Sequence, residues 1–203
     1  VNMDETTHSF SRKVIDRALT FDFGEFFPNS FNEFFEPNKE PKVLSYPVWS
    51  DGRNKDELKD TFDSDGALSI ALLKSINTIL NNTPFKLAYR ALNELLLSVM
   101  TNKPTTKIEL QAVWDDFLMC KVLPRIEGDI DKLTKGGEDE HIIEQLNVVL
   151  VKQLSNIWDS EIRPDLYRKY LDKEEAIKIG CRSKTKLRWM SAQLDNGFTS
   201  FWP

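Results

Sequence analysis

No phosphate-binding loop of the form Gly-x-x-x-x-Gly-Lys-Ser/Thr occurs anywhere in the 203 residues. The only adjacent glycines, Gly136 and Gly137, run into Glu138 and Asp139, and carboxylates that close repel a phosphate. Nor does a full apolar strand end in a paired Asp-Glu that would hold magnesium; Asp4-Glu5 has only three residues before it. The chain alone is therefore expected not to hydrolyse a nucleotide. Cysteine is scarce. Cys120 within an apolar helical pattern and Cys181 in a basic stretch make no disulfide framework for a chain this long, so a reducing cytoplasm is the expected compartment. No apolar run approaches the roughly 20 residues that cross a bilayer, and no signal-peptide pattern opens the chain, so no membrane partner is expected. His8 and His141 lack Cys or carboxylate neighbours at ligand spacing, which leaves no metal site to argue. No nucleophile–base pair stands out either, since Thr6, Thr7 and Ser9 read as turn formers.

What is present is helical periodicity and a charge gradient. The 40% hydrophobic content suffices for a packed core, and 29% charged residues is an ordinary solvated surface. The net charge of −5 is uneven: residues 1–70 carry 8 basic against 14 acidic residues, and residues 152–203 carry 10 against 7. A basic tail suits nucleic acid or an acidic partner; solvated helix faces account for the same composition without one. A short helix is expected over 12–18, then a strand over 19–23 with Leu19, Phe21 and Phe23 on one face. Four stronger helices follow over 67–81, 86–100, 106–122 and 139–158, with a capping box at Thr106 and Glu109 and a stop at Pro124. Weaker helices are expected over 169–179 and 184–194, and the aromatic end 198–202 is expected to dock internally.

Several segments carry a family resemblance. The polar opening from Asn2, the helix bearing Arg12 and Arg17, and the run Leu19-Thr20-Phe21-Asp22-Phe23 resemble the sensor-1 strand end and arginine-bearing helix of McrB-like AAA+ NTPases. Phe85-Lys86-Leu87-Ala88-Tyr89-Arg90-Ala91-Leu92-Asn93-Glu94 resembles the aromatic–Arg–hydrophobic–Glu helix that opens their lid. Lys121-Val122-Leu123-Pro124-Arg125-Ile126-Glu127-Gly128 is similar to a second segment of that family, and 183–202, ending Gly-Phe-Thr-Ser-Phe-Trp, to its closing segment. The resemblance implies a mainly α fold, a helical lid bundle with a small remnant of the α/β core sheet. It implies the C-terminal part of a larger ATPase: the end of the core over 1–50, the lid over 51–160 and a basic extension with an aromatic tail over 161–203.

The resemblance also assigns roles. Arg17, with Arg12 as the fallback, would be a finger reaching a neighbouring subunit's nucleotide; an ion pair to Asp16 or Asp22 is the structural alternative for Arg17. Asn2 would hold the attacking water and a γ-phosphate oxygen, or else cap the turn at Asp4. Arg90 and Lys86 would present two cations to a phosphate tail, or else Arg90 pairs with Glu94 one turn on. The implied cofactor is ATP or GTP with magnesium in the longer protein, none being bound by this part alone. The implied partners are a homo-oligomeric ring, a nuclease subunit and DNA, in restriction or antiphage defence. A stand-alone helical module for protein or nucleic acid, with no nucleotide role, is the competing reading.

Overall fold

In a computed structural model the described residues are 12–21, 51–136, 140–166 and 179–202. They are mainly α-helical. Helix α1 (Arg12–Ile15) is a single turn. After a 3-10 turn (Lys55–Leu58) come α2 (Ala67–Leu80), α3 (Tyr89–Asn102) and α4 (Lys107–Phe117). Helix α4 runs without a break into a π-helical turn (Leu118–Val122) and a 3-10 turn (Leu123–Arg125). Strand β1 (Gly128–Asp129), α5 (Ile130–Leu133), α6 (Ile142–Gln153), α7 (Arg182–Asp195) and β2 (Phe198–Thr199) complete the order. Among these residues no helix is long and apolar enough to cross a membrane.

One apolar cluster joins the helices. Leu72, Ile76 and Leu80 of α2 meet Leu146 and Leu150 of α6, while Leu95 and Val99 of α3 meet Leu110 and Phe117 of α4. Leu187, Met190 and Leu194 of α7 and Phe201 of the tail belong to the same cluster. The aromatic end therefore docks internally, with Phe201 buried. Its anchor is backbone pairing: β2 lies antiparallel to β1, Gly128 opposite Thr199 and Asp129 opposite Phe198. Segments about seventy residues apart in the sequence are thus partners in space. Gly128 adopts φ of 151°, and a Cβ there would come within 2.7 Å of the Lys132 side chain, so this pairing needs glycine.

Helix starts follow their local chemistry. Gly66 turns the chain at φ of 75°, and the buried Asp63 accepts the backbone N–H groups of Leu68 and Ser69, each at 2.9 Å, to cap α2. The capping box of Thr106 and Glu109 forms at α4 as its sequence signature predicts.

Helix α3 begins three residues later than the apolar stripe suggests. The Asn77 side chain accepts the Leu87 N–H at 2.9 Å and donates to the Leu87 carbonyl at 3.0 Å, which holds that residue in the loop. Lys86 consequently precedes the helix, and only Arg90 stands on it. The helix expected to reach Val122 changes type at Leu118, because Pro124 has no N–H with which to continue the α pattern.

The strand expected over 19–23 is not formed at its described residues. Leu19 and Phe21 face solvent while Thr20 turns inward, donating one backbone hydrogen bond to Cys120 O at 3.0 Å. A single such bond gives no ladder, and without one the period-two pattern has no sheet to settle on. The remainder of the α/β remnant expected over 1–50, and the helix expected over 169–179 apart from Ile179, lie outside the described residues.

Candidate functional site

The first turn of α3, the segment around α1 and the turn that follows α4 enclose an open cleft of about 330 Å³. Its lining includes Lys13, Arg17, Lys86, Arg90, Lys121 and Arg125, with Asp16 as the acidic member. Three of the residues singled out in the sequence, Arg17, Lys86 and Arg90, are thereby brought together. Arg12 opens α1, but its side chain lies outside the described residues, as does all of Asn2.

Two of the six cations are spent within the fold. Lys121 is 1% exposed, and its ammonium contacts Glu94 Oε2 at 2.7 Å, Asp16 O at 2.8 Å and Ala18 O at 3.1 Å. Two backbone carbonyls accept its N–H donors and the Glu94 carboxylate supplies the counter-charge, the condition under which a lysine is tolerated in an interior. Arg125 pairs with Asp16 Oδ1 at 3.0 Å and donates to Lys86 O at 3.2 Å, tying the α1 segment to the loop before α3. Glu94 therefore faces Lys121 and makes no ion pair with Arg90. Asp16 likewise serves Arg125, and Arg17 makes no ion pair among the described residues.

Lys13, Arg17, Lys86 and Arg90 remain as exposed cations with no carboxylate partner among the described residues. Lys86 keeps its charge while donating to Asn81 Oδ1 at 3.0 Å. Helix α3 adds a further positive element. Its N-cap position is Ala88, which has no side-chain oxygen to receive the first N–H groups, and Ala88, Arg90 and Ala91 all line the cleft. An uncapped helix start beside four solvated cations attracts a multiply charged anion.

A second polar cluster went unnoticed in the sequence. Asp115 is fully buried; it accepts the backbone N–H of Arg182 at 2.9 Å and of Ser183 at 2.8 Å, together with the Ser183 hydroxyl, and so caps α7. Arg163 closes on it with Nε 3.1 Å from Asp115 Oδ2, while its other nitrogens reach Asp116 and, at 2.8 Å, Ala112 O. Burial pushes the Asp116 carboxyl up, with Arg163 pulling against it. The available signal was an Asp-Asp pair inside a helix whose neighbouring positions are apolar. The Ser183 hydroxyl is buried and spent on Asp115, and the geometry of the cluster is that of a clamp joining α4, α7 and the 160–163 segment.

The thiols beside the clamp give a test. Burial, assisted by Asp115, pushes the Cys181 thiol up to about 12, and burial with Asp116 pushes Cys120 up to about 11, from an ordinary 9.0. Both are expected to react with iodoacetamide at pH 8 at least about 10²-fold more slowly in the folded protein than in the denatured chain, because the thiolate is the reacting form. The unfolded thiols ionise first on raising the pH, so stability contributed by these groups is complete below 9.0 and is lost as pH rises through the folded values. Denaturant titrations across that window check the slope; a folded-state thiol titrating near 9 would contradict it.

Residues 53–198 match a family described as a domain of unknown function, DUF8727. No curated protein and no solved structure matches the chain.

Proposed function

The chain belongs to the DUF8727 family, and from its cleft we propose that it is the sensor and lid portion of a McrB-like AAA+ nucleoside triphosphatase. The observation that carries this reading is the convergence of Arg17, Lys86 and Arg90, drawn from two separated segments, on one cleft with an excess of positive charge. In this reading the cleft receives the phosphate tail of ATP or GTP at a boundary between ring subunits. Guanidinium groups from Arg17 and Arg90 bind phosphate oxygens through paired N–H donors, and Lys86 adds a point charge. Positive charge fixed there stabilises the negative charge that spreads over the transferring phosphoryl group.

The phosphate-binding loop and the magnesium carboxylates are assigned to the longer protein, since the described residues hold no group of acidic or His/Cys side chains suited to a metal. Ring assembly, a nuclease partner and action on DNA belong to the same proposal. The stand-alone module depended on a basic tail, and at least four of that tail's cations are engaged within the fold. Arg163 and Arg182 pair with Asp116, Lys184 pairs with Asp159 at 2.6 Å, and Lys186 lies over the Trp189 and Phe201 rings.

Calorimetric titration of the chain with sodium tripolyphosphate, the phosphate chain without its nucleoside, tests the cleft. The expected dissociation constant is on the order of 1 mM or tighter, about −4 kcal/mol, and weakens on raising salt from about 50 to 200 mM. Arg17→Ala combined with Arg90→Ala should abolish the signal, and no nucleotide should be hydrolysed above background. Binding that survives the double substitution would overturn the reading, as would turnover that tracks with this chain through repurification.

A further inference from the structure

We infer that Lys121 is the positioning residue for Arg17, an inference that rests on the phosphate reading of the cleft. The two carbonyls that its ammonium grips, Asp16 O and Ala18 O, are those immediately flanking Arg17. Ion-paired with Glu94 Oε2, the buried ammonium fixes the backbone of Arg17 to helix α3, the helix that carries Arg90. Together with Arg125, which joins Asp16 to Lys86 O, this side chain sets the distance between the two guanidinium anchors.

The local backbone explains why Lys121 stands there. Proline at 124 cannot donate to Cys120 O, and that carbonyl instead accepts the Thr20 N–H at 3.0 Å. The π-helical turn Leu118–Val122 thus offers a carbonyl and an ammonium side by side, and both are taken by the segment around Arg17. Unlike Arg17, Lys86 and Arg90, Lys121 is buried and presents no surface to a ligand. It acts through Arg17.

A double-mutant cycle on tripolyphosphate affinity separates positioning from general support. Arg17→Ala should weaken binding about tenfold, as loss of a charge-assisted hydrogen bond does. Lys121→Met should weaken it by a similar factor in the otherwise unaltered chain, and by less than about twofold when Arg17 is already alanine. Amide exchange supplies the second readout: the N–H groups of Arg17, Ala18 and Thr20 should exchange faster in Lys121→Met, while those of α2 and α6 stay as they were.

If Lys121→Met does not fold, Glu94→Gln replaces it. It keeps the shape of the ion-pair partner and removes its charge, with an expected loss of about threefold that again vanishes without Arg17. Equal losses with and without Arg17 would overturn the positioning role while leaving the phosphate site intact. Tripolyphosphate binding that ignores Arg17 and Arg90 altogether would remove the phosphate reading and this inference with it.

Discussion

Replacement of Arg163 by methionine is expected to lower the unfolding free energy by about 3–5 kcal/mol, the cost of leaving buried carboxylates without their counter-charge. Asp115 is completely buried and Arg163 only 5% exposed, so water cannot take over the role of the guanidinium. For a chain of this length the melting midpoint should drop by roughly 6–20 °C, at about 2–4 °C per kcal/mol. Arg163→Lys should recover only part of the loss. A lysine ammonium offers no planar fork with which to meet Asp115, Asp116 and Ala112 O together.

Adding Asp116→Asn to Arg163→Met should restore stability, because it neutralises one of the stranded charges. Thermal unfolding of the three variants, followed by circular dichroism, decides the matter. A single substitution that moves the midpoint by less than about 2 °C would show that the clamp contributes little, as exposed ion pairs do. The clamp also bears on the cleft indirectly. It holds the start of α7, whose end leads into β2, and β2 pairs with the strand that follows Arg125.

In the longer ATPase that the proposal requires, where the phosphate-binding loop carries most of the affinity, Arg17→Ala is expected to leave nucleotide binding nearly intact and to cut hydrolysis by about 10²-fold or more, since fingers of this kind contribute about 10³–10⁵ in turnover. Mixing Arg17→Ala subunits with subunits whose phosphate-binding loop is broken should restore part of the activity, because some interfaces then combine an intact finger with an intact loop. Arg90 and Lys86 share the cleft with Arg17, so Arg90→Ala subunits should complement in the same mixture. Steady-state turnover of the mixed rings is the measurement. Mixtures as inactive as either parent, with assembled rings, would show that Arg17 does not act across the boundary. Complementation by Arg17→Ala alone would split the cleft between two nucleotides.

Helices α2, α3, α4 and α6 were legible because burial of one face imposes a 3.6-residue period on the sequence, and that period survives whatever the helix packs against. The capping box at Thr106 was legible for a similar reason: its donors and acceptors lie within four residues of one another. Arg17, Lys86 and Arg90 could be nominated from the family resemblance, but nothing local to any of them indicates the other two. The strand expected at 19–23 failed on the converse point. Alternation describes a surface that fits a sheet, and it cannot supply the neighbouring strand.

The sequence alone therefore determined a mainly α chain, its principal helices and caps, and the absence of a phosphate-binding loop from its 203 residues. The tertiary structure decided which cations are spent and which are left. Whether Glu94 pairs with Arg90 one turn away or with Lys121 of the next helix depends on long-range packing, and burial of the lysine selects Lys121. The same holds for Asp115, Asp116 and Arg163, whose clamp spans segments about fifty and seventy residues apart and leaves no short-range period. A charge in water is indifferent to its partner, whereas a charge taken out of water must find one, and only the folded chain determines which.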